Sequence, residues 1–399
     1  MSNNQLNETA DGHEHYKQLE DQYNVDVYPK RDITIVRGAG AQLFDDSGKA
    51  YIDCAAGIGV ASVGHANAAV AKAVAGQAQT LITCPGIFYN DKRAALLEKL
   101  VTLAGGRITQ AFLCNSGTEA VEGALKFARH ATGKTRIVSA MRGYHGRTMG
   151  ALSATHKKEY RDPFQPLPGG FAYAPYNKLD KLEAALDDDT AAVLLEPVQG
   201  EGGIRPGDTE YFQAVRALCD RTGTLLIVDE IQTGFCRTGE FFASEHFGLE
   251  PDMMCVAKAM AGGVPMGAVL ASERIGSLRG LHGSTFGGNP LSCAAALAAI
   301  DFMETHNLAG RAKELGDYLL GELRQRSWPK VREVRGLGLM IGIELKERVQ
   351  PILVKLMERG ILALPAGPTV LRLLPPLVIE RAELDTVIDA LDSILGQAG

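Results

Sequence analysis

Leu225-Leu226-Ile227-Val228-Asp229-Glu230 and, further on, Met253-Met254-Cys255-Val256-Ala257-Lys258-Ala259-Met260-Ala261-Gly262-Gly263 are the two stretches that decide how this chain is read. The first is a short apolar run ending in a carboxylate, the pattern of a strand buried on both faces. It sets Asp229 at the carboxyl edge of a parallel sheet, where ligand sites of α/β proteins lie. The second carries one lysine in an otherwise uncharged stretch that runs into glycines. Lysine is seldom fully buried without a partner or a task. Desolvation disfavours the ammonium form and leaves the free amine that a Schiff-base nucleophile needs. A bland reading stands beside each: a loop or capping acid for Asp229, and an amine reaching from a strand end to solvent for Lys258. Taken together they favour chemistry, because a carboxylate against a pyridine nitrogen keeps that nitrogen protonated and makes the ring an electron sink.

Outward from these runs, short apolar segments at 110–114, 136–139, 191–195 and 268–271 alternate with helical patterns from about residue 66. The alternation predicts an α/β domain with a mostly parallel sheet over 66–290. Before it, β-like runs at 33–37 and 42–44, the turn Asp45-Asp46-Ser47-Gly48 and then Tyr51-Ile52-Asp53 predict a small meander. After Pro290 come helical patterns at 291–304 and 308–326, alternation over 331–345, and an amphipathic stretch at 381–395. They make a second α+β unit over 291–399, after a polar arm over 1–25 and the 26–65 segment; spacing alone does not pair the two ends. Gly336-Leu337-Gly338-Leu339-Met340-Ile341-Gly342 imitates a dinucleotide loop, but it has one residue too many and a strand pattern follows where a helix should.

The bulk numbers narrow the field. In 399 residues, 41 Lys and Arg stand against 47 Asp and Glu, a formal charge of −6, so no overall basic field invites nucleic acid. No apolar run approaches the roughly 20 residues that cross a bilayer, and residues 1–22 lack the parts of a signal peptide. Seven scattered cysteines form no CxxC and no zinc-spaced Cys/His set, so they read as reduced thiols of a cytoplasmic protein with no metal.

A phosphate cradle is also legible. Cys114-Asn115-Ser116-Gly117-Thr118-Glu119 follows a strand run and opens a helical pattern, and free N–H groups at a helix start suit a dianion. By itself this reads first as an ordinary N-cap with an acid in the first turn, and in company with Lys258 it reads as a phosphate site.

These pieces, with Gly143-Tyr144-His145-Gly146-Arg147-Thr148, Leu195-Glu196-Pro197-Val198-Gln199-Gly200-Glu201-Gly202-Gly203, Asp229-Glu230-Ile231-Gln232-Thr233-Gly234, Ser284-Thr285-Phe286-Gly287-Gly288-Asn289-Pro290 and Leu371-Arg372-Leu373, stand in one order from about residue 30 to the end. In that order the chain resembles the subgroup III, ornithine and acetylornithine type, aminotransferases of the aspartate-aminotransferase or fold type I superfamily. The resemblance implies an α/β fold with a large domain, built on a mostly parallel seven-stranded-type sheet that holds pyridoxal 5'-phosphate, and a smaller α+β domain made of both chain ends.

It also implies roles. Lys258 would carry the cofactor and Asp229 would face its ring nitrogen. Gly117 and Thr118 would hold the phosphate, Tyr144 would stack on the ring and Gln232 would meet the ring hydroxyl. Thr285 would reach the phosphate of a neighbouring subunit, so the enzyme would be a homodimer with shared sites and inactive as a monomer. Arg147 would grip a substrate carboxylate, with Ser284 touching substrate from the partner chain. Glu201 and Arg372 would form a gate, the acid neutralising the arginine for a donor with a distal amine and releasing it for glutamate or 2-oxoglutarate.

Ile35-Val36-Arg37-Gly38, Ala140-Met141-Arg142-Gly143, the 335–340 run and Leu362-Ala363-Leu364-Pro365-Ala366-Gly367-Pro368-Thr369 are similar to one branch. Its members transaminate aminoadipate semialdehyde carried on a small acidic amino-group carrier protein in lysine biosynthesis. N-Acetylornithine aminotransferases of arginine biosynthesis are the alternative, and motif chemistry does not separate the two. A carrier partner would be met by a basic rim, for which Lys157, Lys158, Arg161, Lys178 and Lys181 are the candidates. Racemases and decarboxylases of the superfamily share Lys258 and Asp229, but paired carboxylate-binding arginines favour alternating amino acids.

Overall fold

The structure is a computed structural model that describes residues 10–396, with the backbone alone for 10–14. Its centre is a seven-stranded sheet of β1 (Ile108–Cys114), β2 (Arg136–Ala140), β3 (Phe171–Ala174), β4 (Thr190–Leu195), β5 (Leu225–Asp229), β6 (Met253–Val256) and β7 (Gly267–Ser272). In space they run β1-β7-β6-β5-β4-β2-β3. From β3 to β6 every pair is parallel, and β7 alone is antiparallel to both of its neighbours. Six strands arise from the apolar runs of the sequence. The seventh, β3, does not: Phe-Ala-Tyr-Ala is three half-buried residues and a buried alanine at the sheet edge, too few to show a period.

Alternation along β5 sorts its side chains between two cores. Leu225 and Ile227 pack with Val121, Ala124 and Leu125 of the helix Gly117–Thr132. Leu226 and Val228 pack with Phe212, Val215 and Leu218 of the helix Thr209–Thr222. Asp229 has the parity of Leu225 and Ile227, so it points to the face on which the helix starting at Gly117 lies.

The chain ends meet. Ile35–Ala39, Gln42–Asp45 and Ala50–Asp53 form an antiparallel meander, and Ile361–Leu362 adds to it in parallel register, Ile361 opposite Ile52. A second four-stranded sheet is ordered Val331–Leu337, Met340–Leu345, Val370–Leu373 and Leu364–Pro365. The helix Arg381–Leu395 buries Leu384, Val387, Ile388, Leu391 and Ile394, a 3.6-residue stripe. Two expectations change. The helix Pro290–Thr305 packs on Ala68–Thr80 and Asp91–Ala104, beside the large sheet, so we place the boundary after it and not at 290. The described part of the polar arm is a helix, Ala10–Tyr23, pinned by the exposed pairs Lys30–Asp21 at 2.8 Å and Lys17–Asp32 at 2.6 Å.

The glycine run at 336–342 is a hairpin between Val331–Leu337 and Met340–Leu345. Its tip locks onto Arg237, whose Nη1 donates to the Leu339 carbonyl at 3.0 Å while Leu339 N donates to the Arg237 carbonyl at 3.1 Å. Gly338 has φ of 55°, and a Cβ there would sit 2.4 Å from the Thr238 carbonyl carbon. Gly133 has a similar φ of 69° but open space around it. Gly133→Ala should therefore lose only the left-handed penalty of about 1–2 kcal/mol. Gly338→Ala should lose about 3 kcal/mol or more, since backbone cannot yield to the clash. Urea unfolding of both variants measures the difference.

Candidate active site

Strand ends converge on one cavity of about 470 Å³, lined by Lys258, Asp229, Gly117, Thr118, Tyr144, Arg147, Glu201 and Gln232. Each reaches it for a local reason. Asp229 is the last residue of β5 and is 4% exposed. Lys258 follows β6 by two residues at φ of 42°, a left-handed backbone that costs a non-glycine residue about 1–3 kcal/mol and concentrates at functional sites. Gly117 and Thr118 open a 16-residue helix capped by Ser116, whose hydroxyl accepts from Glu119 N at 3.3 Å. Their own N–H groups belong to the first turn, which has no intrahelical acceptors. At Gly117 a Cβ would lie 2.9 Å from Ile231, so glycine is what lets the helix start approach the floor of the cavity.

Asp229 is the electrostatic centre. Its Oδ2 is 2.7 Å from His145 Nδ1, and its Oδ1 accepts from Ile231 N at 3.0 Å. Burial drives the His145 imidazole toward neutrality, but the Asp229 hydrogen bond and the charges of Asp229 and Glu196 outweigh it and leave its pKa above the ordinary value. Burial pushes the Glu196 carboxyl up to about 7, with His145 acting against it. Burial likewise lowers the Lys258 ammonium, opposed by Asp229 and Glu201 and reinforced by Arg372. The lysine and the buried carboxylate that the sequence pointed to thus face one space.

Glu196 holds two walls together: its Oε1 accepts from Tyr144 N at 3.1 Å and its Oε2 from Gly200 N at 3.0 Å. Neither Glu196 nor His145 was assigned a task from sequence, although each lies inside a motif that was singled out; only their partners in space give them one. Arg372 stands behind the cavity wall, 3% exposed, with Nη1 2.5 Å from Glu201 Oε1 and 3.3 Å from Gln232 Oε1. Arg147 lies flat on Tyr160, 3.5 Å from the ring centroid. Ser284 and Thr285 are not in this lining. The Ser284 hydroxyl accepts from Asn115 Nδ2 at 3.1 Å and from Gly287 N at 3.0 Å, and Thr285 is exposed on the same surface loop.

The fit to pyridoxal phosphate can be judged on these atoms. A carboxylate backed by an imidazole suits a protonated ring nitrogen, free helix N–H groups suit a phosphate, and an aromatic side chain suits a ring face. The lysine amine lies on the same cavity. Among the described residues no three His, Cys, Asp or Glu side chains cluster as metal ligands, and no helix is long and apolar enough to cross a membrane.

Known proteins agree with this geometry. The profile of the family Aminotransferase class-III matches residues 23–395. The chain is 48% identical over 381 residues to a [LysW]-aminoadipate semialdehyde transaminase of Deinococcus radiodurans, covering 94% of this chain and 89% of that one. It is 47% identical over 371 residues to an acetylornithine aminotransferase of Methanosarcina mazei, covering 93% of each. Among solved structures, an ornithine aminotransferase of Toxoplasma gondii superposes with a TM-score of 0.92 at 34% identity, covering 96% of this chain and 93% of that one. Motifs, sheet order and relatives converge: the chain belongs to the class-III aminotransferases, enzymes that work with pyridoxal phosphate.

Proposed function

We propose that this aminotransferase moves the terminal amino group between glutamate or 2-oxoglutarate and a lysine or aminoadipate semialdehyde intermediate linked to a small acidic carrier protein. This is a step of lysine biosynthesis in the cytoplasm. The observation that carries the two-substrate reading is the Glu201–Arg372 pair beside Lys258. A buried arginine already neutralised by an acid suits a donor that has no carboxylate on the carbon bearing the reacting distal amine. Once the acid withdraws, the same arginine meets a second carboxylate. The D. radiodurans relative supports the carrier-linked substrate, and acetylornithine is the alternative that the M. mazei relative favours.

Pyridoxal phosphate, when bound, supplies an electron sink conjugated to the substrate nitrogen. The chain supplies the rest. Asp229 and His145 would hold a proton at the ring nitrogen, the Gly117 and Thr118 N–H groups would hold the phosphate, and Gln232 would serve the ring hydroxyl. Tyr144 would lie against the ring, and Arg147 would orient a substrate carboxylate. Lys258 Nζ takes the proton from the carbon that bears the amine and returns it on the other side of the exchange.

Two surface features bear on partners. Leu81, Ile82, Ile87, Phe88, Tyr89 and Phe286 are exposed apolar side chains. Arg93 ties their loops together by donating to the carbonyls of Cys84, Phe88 and Gly288. Such a patch supports a homodimer whose second subunit receives Thr285 and Ser284. Of the rim cations, Lys157 and Lys158 line a cavity next to the catalytic one. Arg161 is engaged with the Tyr173 hydroxyl and the His156 carbonyl, and Lys178 and Lys181 lie outside both cavities.

Purified protein should show a visible absorbance that glutamate bleaches, and Lys258→Ala should abolish the bleaching. A protein that takes up no cofactor defeats the assignment. Comparing carrier-linked lysine with free acetylornithine by kcat/KM selects between the two pathways. Glu201→Gln should lower KM for glutamate about tenfold, the worth of roughly 1.4 kcal/mol, while raising it for the distal-amine donor; stopped-flow half-reactions read the two separately. Phe88→Asp combined with Tyr89→Asp should yield monomers by sedimentation, with activity lost in proportion.

A further inference from the structure

The two arginines of the site are held in opposite ways. Arg372 is buried and its Nη1 meets the Glu201 carboxylate at 2.5 Å, so an acid occupies the edge from which a guanidinium donates. Arg147 is exposed, and among the described residues it has no ion-pair partner. It rests instead on Tyr160, the guanidinium carbon 3.5 Å from the ring centroid. At that distance the group lies face-on, because an edge-on plane would drive a nitrogen into the ring. A face-on stack uses the flat surface of the cation and leaves its N–H donors, which lie in the guanidinium plane, pointing outward. Tyr144 is the second aromatic neighbour, its centroid 5.7 Å from the same carbon and its hydroxyl beside the guanidinium. A neutral hydroxyl leaves the positive charge uncancelled.

The chain builds Tyr160 into place. It lies in the single turn Lys158–Arg161, and its N–H donates to the Lys157 carbonyl at 3.2 Å. Next to it Arg161 donates to the Tyr173 hydroxyl at 2.8 Å and to the His156 carbonyl at 3.1 Å, and the Tyr173 hydroxyl donates to the Ser153 carbonyl at 2.6 Å. His156 N donates to the Gly143 carbonyl at 3.0 Å. The turn is thus fastened to β3, to the helix Met149–Ala154 and to the 143–148 loop that carries Arg147, so ring and guanidinium belong to one hydrogen-bonded unit. The Lys157 ammonium also sits over this ring, 4.4 Å from its centroid, and the ring serves two cations.

Resting on the reading of Arg147 as the receiver of a substrate carboxylate, we propose that Tyr160 is its positioning residue. The ring holds the guanidinium by its face, so the donating edge stays open to a carboxylate in both half-reactions, whereas Arg372 is open in one of them only. The carboxylate on the reacting carbon of glutamate meets Arg372, and the distal one meets Arg147 on its aromatic seat.

Stopped-flow titration of the cofactor-loaded enzyme with glutamate and with L-2-aminobutyrate, which is glutamate without the distal carboxylate, isolates this contact. Tyr160→Leu should raise the apparent Kd for glutamate about three- to fivefold, the worth of a cation–π contact at an exposed site, with the limiting rate and the 2-aminobutyrate titration unchanged. Tyr160→Phe keeps the ring and should stay within about twofold of the wild type. Each fluorine added to that phenylalanine ring withdraws π density and should carry the Kd further toward the leucine value. A Kd that stays flat across the fluorinated rings overturns the positioning role, as does a Tyr160→Leu loss of equal size on both amino acids. Arg147→Gln should raise the glutamate Kd and spare 2-aminobutyrate; if it spares both, the carboxylate assignment on which the role rests is the part that fails.

Discussion

The site depends on one buried contact, the 2.7 Å link between Asp229 and His145. An isolated carboxylate at the end of a fully buried strand is expensive to desolvate, and Asp229 offsets this with the imidazole and with Ile231 N. Because the pair is anchored to β5 at its floor and to the 143–148 loop at its wall, it sets the distance between sheet and loop. Glu196 carries the same restraint onward to Tyr144 N and Gly200 N. Hydrogen bonds at Asp229 and at Glu196 together fix the 143–148 loop against the strand ends of the large sheet.

Arg372 enters from the other side. It belongs to the strand Val370–Leu373 of the carboxy-terminal sheet, whereas Glu201 follows the large sheet's β4. The Glu201–Arg372 ion pair therefore spans the junction of the two units. That junction is firm: Arg237, 1% exposed, donates to the Leu339 and Pro375 carbonyls and to Ser62 Oγ, and a single apolar cluster runs from Leu96 and Met254 to Leu391. Of that pair, Arg372 is buried and the Glu201 side chain is about a third exposed, so the proposed switch between substrates is assigned to the Glu201 side chain.

Much of this was legible in the residues. Strand-end carboxylate, lone lysine before glycines and hydroxyl-glycine helix start are local patterns, and local patterns survive folding. His145 and Glu196 were not, because nothing local distinguishes a catalytic-loop histidine or acid from a solvated one until its partner is placed. The strand Phe171–Ala174 was too short to show a period, and the helix Ala10–Tyr23 is too polar to show an apolar face. The helix Pro290–Thr305 crossed the expected boundary for a different reason. It is almost wholly apolar or small, so its sequence says that it is buried but not against which unit.

The parallel pairing of Ile361–Leu362 with Ala50–Asp53 has a bearing on how the protein is made. On the ribosome the meander emerges early, and its last neighbour follows some three hundred residues later. At about 5–20 residues per second that interval is on the order of 15–60 s. Throughout it Ala50–Asp53 presents an open strand edge that could pair with another chain. Synthesis of this enzyme is thus a race between elongation and intermolecular strand exchange.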